Sequence, residues 1–211
     1  MNIAFIGHGG VGGALADHMQ RAGHRVTITT ADPASASVAA ALAQNPDLRV
    51  ADAAQALPDA EVVVLATPFA AVEAVIAAAG DWLTGKLLID CTNPVGPGLS
   101  HGLGDGRSGS QLIQSLLPDT RVVKAFSVYG AENFADSAYP GYGVPPAMLF
   151  CGDDAVAKTV AARLIGELGW RPVDVGGLAQ ALHLEHMTLL WVRMVRVDGH
   201  SPNFVWAMLE R

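Results

Sequence analysis

Three glycines near the amino terminus have the spacing of a phosphate-binding loop. Gly7, Gly9 and Gly12 follow the pattern G-x-G-x-x-G, after the apolar stretch NIAFI and before an alanine-rich stretch of helical period. The first glycine permits a tight turn, the second lets the backbone approach a pyrophosphate, and the third lets the helix pack closely on the strand. The N–H groups at the start of that helix would face the phosphates. The predicted binding loop comprises Gly7, His8, Gly9, Gly10, Val11 and Gly12.

Small and polar residues also follow three later apolar runs, in the segments ATPF, CTNP and KAFSVYG. In a parallel sheet with helices on both faces, ligands lie at the carboxyl ends of the strands, so these segments are further candidates for the same site. Thr67 and Pro68 equally suit a helix cap, and Asn93 before Pro94 equally suits a turn. The candidates are Ala66, Thr67, Pro68, Asn93, Ala125, Phe126 and Ser127.

The stretch RVTITTADP ends the second predicted strand, where dinucleotide-binding proteins usually read the adenosine ribose. An acid at this point favours NAD and a base favours NADP, but the residues here are Thr29, Thr30 and Ala31. Asp32 comes too late in the chain to replace the usual ribose-binding acid. Two hydroxyls and the neighbouring backbone N–H groups remain available for a phosphate.

The elements that must position these residues alternate between Val- and Ile-rich runs and alanine-rich helical stretches, which is typical of βα units. We therefore predict an α/β fold, a Rossmann doubly wound, mainly parallel sheet with a small C-terminal helical extension. Residues 1–176 would form the dinucleotide-binding domain and 177–211 the extension. The predicted strands are 2–6, 25–30, 61–66, 86–90, 121–125, 147–151 and 172–175, and the predicted helices are 10–22, 33–44, 69–79, 109–117 and 153–168.

The segment from 178 to 197 is predicted to be a helix that is apolar around nearly its whole circumference. Such a helix must be buried from several sides, and a symmetric dimer interface is the preferred explanation. The alternative is a helix packed between the sheet and the final segment NFVWAMLER.

The composition and charge of the chain limit the classes of partner that we expect it to bind. The chain has 211 residues, a net charge of -7 and a sequence pI near 5.4, which argues against nucleic acid or an anionic membrane as a partner. The most apolar run, 62–83, is interrupted by proline, glycine and charged residues, so it does not supply a membrane span. Two cysteines and no recognisable signal peptide indicate the cytoplasm.

Other suggestive residues have plainer explanations. His183 and His186 lack the spacing and third ligand of a zinc helix, so no metal is predicted. Asp153 and Asp154 stand where acids cap a helix. Cys91 is expected to be a buried, unreactive thiol.

Several segments together resemble the NADPH-dependent oxidoreductases related to NADP:coenzyme F-420 oxidoreductase. These segments are FIGHGGVGGALADHMQRAGHRV, VVVLATPF, LLIDCTNPVGPGL, RVVKAFSVYGAENFAD, CGDDAVAKTVAARLIGELGWRPVDVGGL and LEHMTLLWVRM, and they cover essentially the whole chain.

The resemblance implies a homodimer that passes a hydride between a nicotinamide and a second bound molecule, without covalent catalysis by a side chain. By motif match, Gly7 to Gly12 would hold the pyrophosphate and Thr29 and Thr30 the adenosine ribose or its phosphate. Ala66 to Pro68 would hold the middle of the cofactor. Asn93 with Ala125 to Ser127 would lie at the nicotinamide.

The family commonly has a Ser-Arg pair where this chain has Thr30 and Ala31, so the arginine that clamps a 2'-phosphate is missing. We predict NADP(H) in preference to NAD(H), by a smaller margin than an arginine would give. A deazaflavin or flavin-like molecule is the expected acceptor. A nucleotide-binding sensor without turnover is one alternative. An imine or carbonyl reductase is another, for which Ser127, Tyr129 or His101 would donate a proton.

Overall fold

The computed structural model describes all residues, 1–211, and contains one sheet of eight strands. The strands are β1 (Asn2–Ile6), β2 (Arg25–Thr29), β3 (Arg49–Ala51), β4 (Val62–Leu65), β5 (Leu87–Asp90), β6 (Arg121–Lys124), β7 (Ala147–Gly152) and β8 (Arg171–Asp174). Their order is β3-β2-β1-β4-β5-β6-β7-β8, and all neighbours run parallel except β6 and β7. The predicted fold class is confirmed.

Seven α-helices pack with these strands, six between strands and one after β8, and there are also short 3-10 turns. The helices are α1 (Gly10–Arg21), α2 (Ala36–Gln44), α3 (Ala53–Ala56), α4 (Val72–Ala79), α5 (Gly109–Leu116), α6 (Ala155–Glu167) and α7 (Ala181–Arg196). None of them is both long and apolar enough to cross a membrane.

Helices cover both faces of the sheet. Successive residues of the central strands point to opposite faces, so each of these strands contributes side chains to two cores. Ile3 and Phe5 of β1 pack in the core shared with α1, α6 and α7, whereas Ala4 and Ile6 pack in the core shared with α4 and α5. Burial on both sides explains why the central strands read as nearly continuous apolar runs.

The topology places a crevice at the carboxyl end of β1. This strand pairs with β2 on one side and with β4 on the other, so the connections leave it in opposite directions. Ligands of doubly wound sheets bind at such a switch point. The glycine loop follows β1 directly and therefore stands in this crevice.

Some predicted elements differ from the observed ones. The edge strand β3 and the one-turn helix α3 were not predicted, because three residues beginning with Arg49 give no apolar run. Helix α2 begins at Ala36 rather than residue 33, because the Asp32 carboxylate accepts the Ala34 N–H and holds a turn there. Helix α6 begins after Asp154, whose side chain caps it by accepting the Ala157 N–H.

The C-terminal tail covers part of α7. Trp191 of that helix donates to the Phe204 carbonyl at 3.1 Å and stacks on the Phe204 ring, and the Ala147 N–H donates to the Trp206 carbonyl. The tail therefore packs against one side of α7, as expected if this helix lies between the sheet and the final segment of the chain. Leu190 and Val197 of the same region stay half exposed or more, at 50% and 59%.

Candidate functional site

The glycine loop after β1 combines tight packing with one open position. A Cβ at Gly7 would lie 2.6 Å from the Ala66 carbonyl oxygen, and one at Gly12 would lie 2.1 Å from the Gly7 oxygen. Gly7 also has a φ of 97°, which L side chains rarely adopt. At Gly9, by contrast, a Cβ would meet nothing within 4 Å. The backbone at Gly9 thus faces free space beside the start of α1, where an anion is favoured.

Three buried polar atoms along the same edge of the sheet have no hydrogen-bond partner. They are His8 Nδ1 after β1, Thr67 Oγ1 after β4 and Ser127 Oγ after β6. Buried polar groups are nearly always hydrogen-bonded, so three unpaired atoms after β1, β4 and β6 set this edge of the sheet apart. A dinucleotide laid along this edge, with its pyrophosphate at the glycine loop, fits these groups.

The far end of this edge is held rigidly by α7. Asn93 Nδ2 donates to the Ser127 carbonyl at 3.2 Å, and the Thr188 hydroxyl donates to the same oxygen at 2.6 Å. Phe126 has a φ of 52°, which is strained for a residue with a side chain and is typical of functional sites. Ala125 and Phe126 are fully buried, so neither presents its side chain at the surface of this edge.

At the end of β2, where the adenosine ribose is expected, the available hydroxyls differ from those predicted. Thr29 is buried and donates to the Phe5 carbonyl at 2.8 Å, so its side chain points into the sheet. The Thr30 hydroxyl lies at the edge and accepts the Asp32 N–H. Ser37 of α2 lies 2.9 Å from His8 Nε2, and Ser35 lies 3.3 Å from Ser37. The sequence analysis did not single out either serine, although the repeat ASAS follows the predicted turn.

Charged side chains are buried where β5 and β6 end. The Lys124 ammonium lies 3.1 Å from Asp90 Oδ2 and 3.1 Å from Glu185 Oε1, and all three side chains are at most 1% exposed. Burial disfavours the charged amine, but the two carboxylates outweigh it and raise the pKa of Lys124. Glu185 also accepts the N–H groups of Gly109 and Ser110 at the start of α5. This cluster joins β5, β6, α5 and α7.

Comparison with known proteins identifies the family. The profile of the family described as NADP oxidoreductase, coenzyme F420-dependent, matches residues 2–94. The chain is 32% identical over 209 residues to the F420-dependent NADP reductase of Methanothermobacter marburgensis, which covers 92% of each protein. The chain belongs to the coenzyme F420-dependent NADP oxidoreductase family.

Other relatives agree with this membership. A crystal structure from Arthrobacter sp. FB24, provisionally described as an F420-dependent NADP reductase, has 30% identity and a TM-score of 0.88 over 100% of both chains. The Metalloreductase STEAP3 of Rattus norvegicus is 30% identical over 188 residues, but the chain spans 36% of that protein's length. As a member of this family, the protein is an NAD(P)-dependent oxidoreductase.

The structure shows the surroundings of the cysteine and histidines singled out earlier. Burial and the neighbouring Asp90 raise the pKa of Cys91, with Lys124 opposing them, so the thiol stays protonated. His183 is exposed, whereas Glu185 turns inward to Lys124 and His186 stacks on His101. The residues from 1 to 211 contain no group of three His, Cys, Asp or Glu side chains placed to bind a metal ion.

The predicted site residues lie along one edge of the sheet, at or directly after the carboxyl ends of β1, β2, β4, β5 and β6. Much of what supports this edge was not predicted. Thr188 and Glu185 were missed because their partners are distant in sequence, and Lys124 was included only as the first residue of the segment KAFSVYG. The available signal was the spacing of Glu185 and Thr188, three residues apart on one face of the helix.

Proposed function

We propose that the protein transfers a hydride between NADP(H) and a deazaflavin or flavin-like acceptor at the carboxyl edge of the sheet. The observation that carries this proposal is the row of unpaired buried polar atoms on His8, Thr67 and Ser127, beside an open backbone at Gly9. The row spans the strand ends where the family's cofactor would extend from pyrophosphate to nicotinamide. The names of the relatives support NADP as the nucleotide and F420 as an acceptor.

The nicotinamide of the bound cofactor supplies the hydride. The protein's own task is to bind, orient and exclude water, because no side chain needs to form a covalent bond. The glycine loop and the start of α1 would bind the phosphates. Asn93, fixed by Ser127 and Thr188, would orient the nicotinamide end.

Recognition of the 2'-phosphate would rest on hydroxyls and one imidazole. Thr30 follows β2, and Ser37, near the start of α2, lies 2.9 Å from Nε2 of His8, which follows β1. These groups are weaker phosphate ligands than a bidentate arginine. A modest preference for NADP(H) over NAD(H) follows.

Steady-state oxidation of NADPH and NADH tests this function, with coenzyme F420, FMN, FAD, riboflavin and quinones as acceptors. We expect turnover with a deazaflavin or flavin and a lower KM for NADPH than for NADH. If NADPH binds but none of these acceptors oxidises it, the proposed reaction is wrong and a sensor is favoured.

Reduction of an imine or carbonyl is a second candidate, favoured by the unpaired hydroxyl of Ser127. A proton donor is required for such substrates. Of the three donors considered, Tyr129 donates to the Ala147 carbonyl at 2.5 Å and His101 is bound to Glu185. Turnover of a cyclic imine that is lost in Ser127→Ala would support this reaction.

We also propose a homodimer that uses the exposed side of α7, where Leu190 and Val197 remain uncovered by the tail. The buried, unpaired thiols of Cys91 and Cys151 support a reducing compartment such as the cytoplasm.

A further inference from the structure

Two arginine side chains near one end of the sheet have no partner in the protein. Arg25 of β2 and Arg49 of β3 are exposed, and neither makes an ion pair or a side-chain hydrogen bond. Every other lysine or arginine side chain, except that of Arg211, has such a partner. In a chain with a net charge of -7, two free guanidinium groups on neighbouring strands form a local excess of positive charge.

The register of the strands turns both arginines to the same face of the sheet. Arg25 and Thr27 are alternate residues of β2, and Thr27 pairs with Arg49 of β3. With strands about 4.8 Å apart and a rise of about 3.3 Å per residue, the Cα atoms of Arg25 and Arg49 lie about 8 Å apart. Two long side chains at this separation can converge on one ligand.

Both arginines line a cavity of about 410 Å³, whose opposite wall belongs to the segment 55–60. The Thr27 hydroxyl and the Gln55 side-chain amide also line it, and neither has a hydrogen-bond partner in the protein. Apolar lining comes from Ala51, Ala56 and Ala60. The cavity thus combines a small apolar surface with a few polar groups, as sites for small molecules do, and its volume lies in their range.

The lining of this cavity keeps a net positive charge. Asp59 is the one acidic residue that lines it, and its carboxylate forms no ion pair with either arginine. The nearby Glu61 carboxylate accepts the Asn2 N–H at 2.7 Å and does not belong to the lining. Two guanidinium groups therefore face a single carboxylate.

The cavity is separate from the edge of the sheet that carries the glycine loop. Arg25 and Arg49 are the first residues of their strands, and Asn2, the first residue of β1, also lines the cavity. The glycine loop begins after Ile6, at the other end of β1. Five residues of strand span about 13 Å, so one small ligand cannot occupy both places.

We propose that Arg25 and Arg49 bind a small organic anion, through its phosphate or carboxylate group, at the amino ends of β2 and β3. A guanidinium presents paired N–H donors that match the oxygens of either group. Thr27 and Gln55 add neutral hydrogen-bonding groups, and the alanines accommodate a small apolar part of the ligand. The site does not depend on the proposed hydride transfer.

Titration of the isotope-labelled protein with inorganic phosphate and with succinate, followed by NMR, tests the site. Saturating NADP⁺ is present in each sample, so that added phosphate does not compete for the glycine loop. The signals observed are the side-chain Nε–H groups of Arg25 and Arg49 and the backbone amides of 25–27 and 49–51. We expect these signals to shift in a saturable way, with a Kd of about 1 mM or lower for at least one anion.

Variants assign the binding to the two arginines. In Arg25→Gln and in Arg49→Gln the Kd should rise about tenfold or more, since charge-assisted hydrogen bonds are lost. Arg211→Gln is the matched control, because it removes the charge of the other partnerless arginine, which does not line the cavity, and it should bind as the unmodified protein does. Arg25 and Arg49 are exposed and unpaired, so both variants should keep the Tm of the unmodified protein.

The two anions also distinguish the class of ligand. Binding of phosphate alone would support a phosphate ester as the ligand, and binding of succinate alone would support a carboxylic acid. The absence of saturable shifts with either anion up to about 20 mM would overturn the proposal, and so would equal Kd values in the unmodified protein and both variants. The arginines would then serve only to keep the exposed edge strand from pairing with another chain. If a variant does not fold, the shifts of the Arg25 and Arg49 side-chain signals in the unmodified protein decide alone.

Discussion

Replacement of Gly9 by alanine tests whether a dinucleotide lies on the glycine loop. Gly9 precedes α1 with φ of -69° and ψ of -160°, an extended conformation that alanine adopts freely. Its added Cβ would meet no protein atom within 4 Å. The methyl group can therefore collide only with something that approaches the loop from outside, such as a pyrophosphate.

The expected magnitudes separate binding from folding. A phosphate displaced from the loop loses at least one charge-assisted hydrogen bond to backbone N–H, or about 1.5–3 kcal/mol, so the Kd for NADPH should rise about tenfold to a hundredfold. The unfolding free energy should fall by no more than about 1 kcal/mol, the usual cost of alanine at a helix N-cap. In a protein of this size that is roughly 2–4 °C in Tm.

Titration of NADPH by fluorescence or calorimetry, together with thermal unfolding, measures both effects. Gly166→Ala is the matched control, because this exposed glycine of α6 also has nothing within 4 Å of its added Cβ but lies far along the chain from the loop. It should bind NADPH normally. If Gly9→Ala binds NADPH within about twofold of the unmodified protein, the loop is a structural turn and the reasoning is wrong.

Three further predictions concern other parts of the molecule. Ser37→Ala should raise the Kd for NADPH severalfold and leave that for NADH unchanged, as judged by parallel titrations; an equal effect on both would remove Ser37 from the 2'-phosphate site. Lys124→Met should lower the unfolding free energy in urea by about 3–5 kcal/mol at pH 7, since Asp90 and Glu185 lose their shared cation. The pKa of Lys124 is raised in the folded state, so the stabilisation from its charge is complete below the unfolded pKa of about 10.4 and is lost only as the pH rises beyond the folded pKa. A difference in unfolding free energy between Lys124→Met and the unmodified protein that disappears already at pH 8 would contradict this reasoning. Leu190→Asp should convert a dimer to a folded monomer in light scattering, whereas an unchanged mass would place the interface elsewhere.

The sequence was sufficient to predict the parallel sheet and the line of strand ends that carry the candidate site residues. The runs NIAFI and VVVL are buried on both faces, and their apolar character shows in any single sequence. The edge strand β3 could not be found in this way, because Arg49 is exposed and the three residues are held mainly by pairing with β2. Backbone pairing between two strands leaves no periodic pattern of apolar residues in the sequence.

The buried charges of Lys124 and Glu185 could not be predicted from the sequence for a different reason. Lys124 reads as the last residue of a strand and Glu185 as a polar position of a helix, and only folding brings them to 3.1 Å. The interpretation of 178–197 as a dimer helix treated its circumference as apolar, whereas Glu185 is one of its most buried residues. A buried charge is recognised from the groups that pair with it, and a local sequence pattern does not include those groups.

The Lys124 cluster also has a consequence for how this protein can change over time. A neutral residue at position 124 leaves the buried carboxylates of Asp90 and Glu185 without their shared cation, whereas a neutral residue at position 90 or 185 still leaves one carboxylate paired with the amine. Related sequences that fold the same way should therefore replace position 124 only when positions 90 and 185 change with it. In an alignment of such sequences, they would stand out as a covarying triplet that links one strand end to its neighbour and to the last helix.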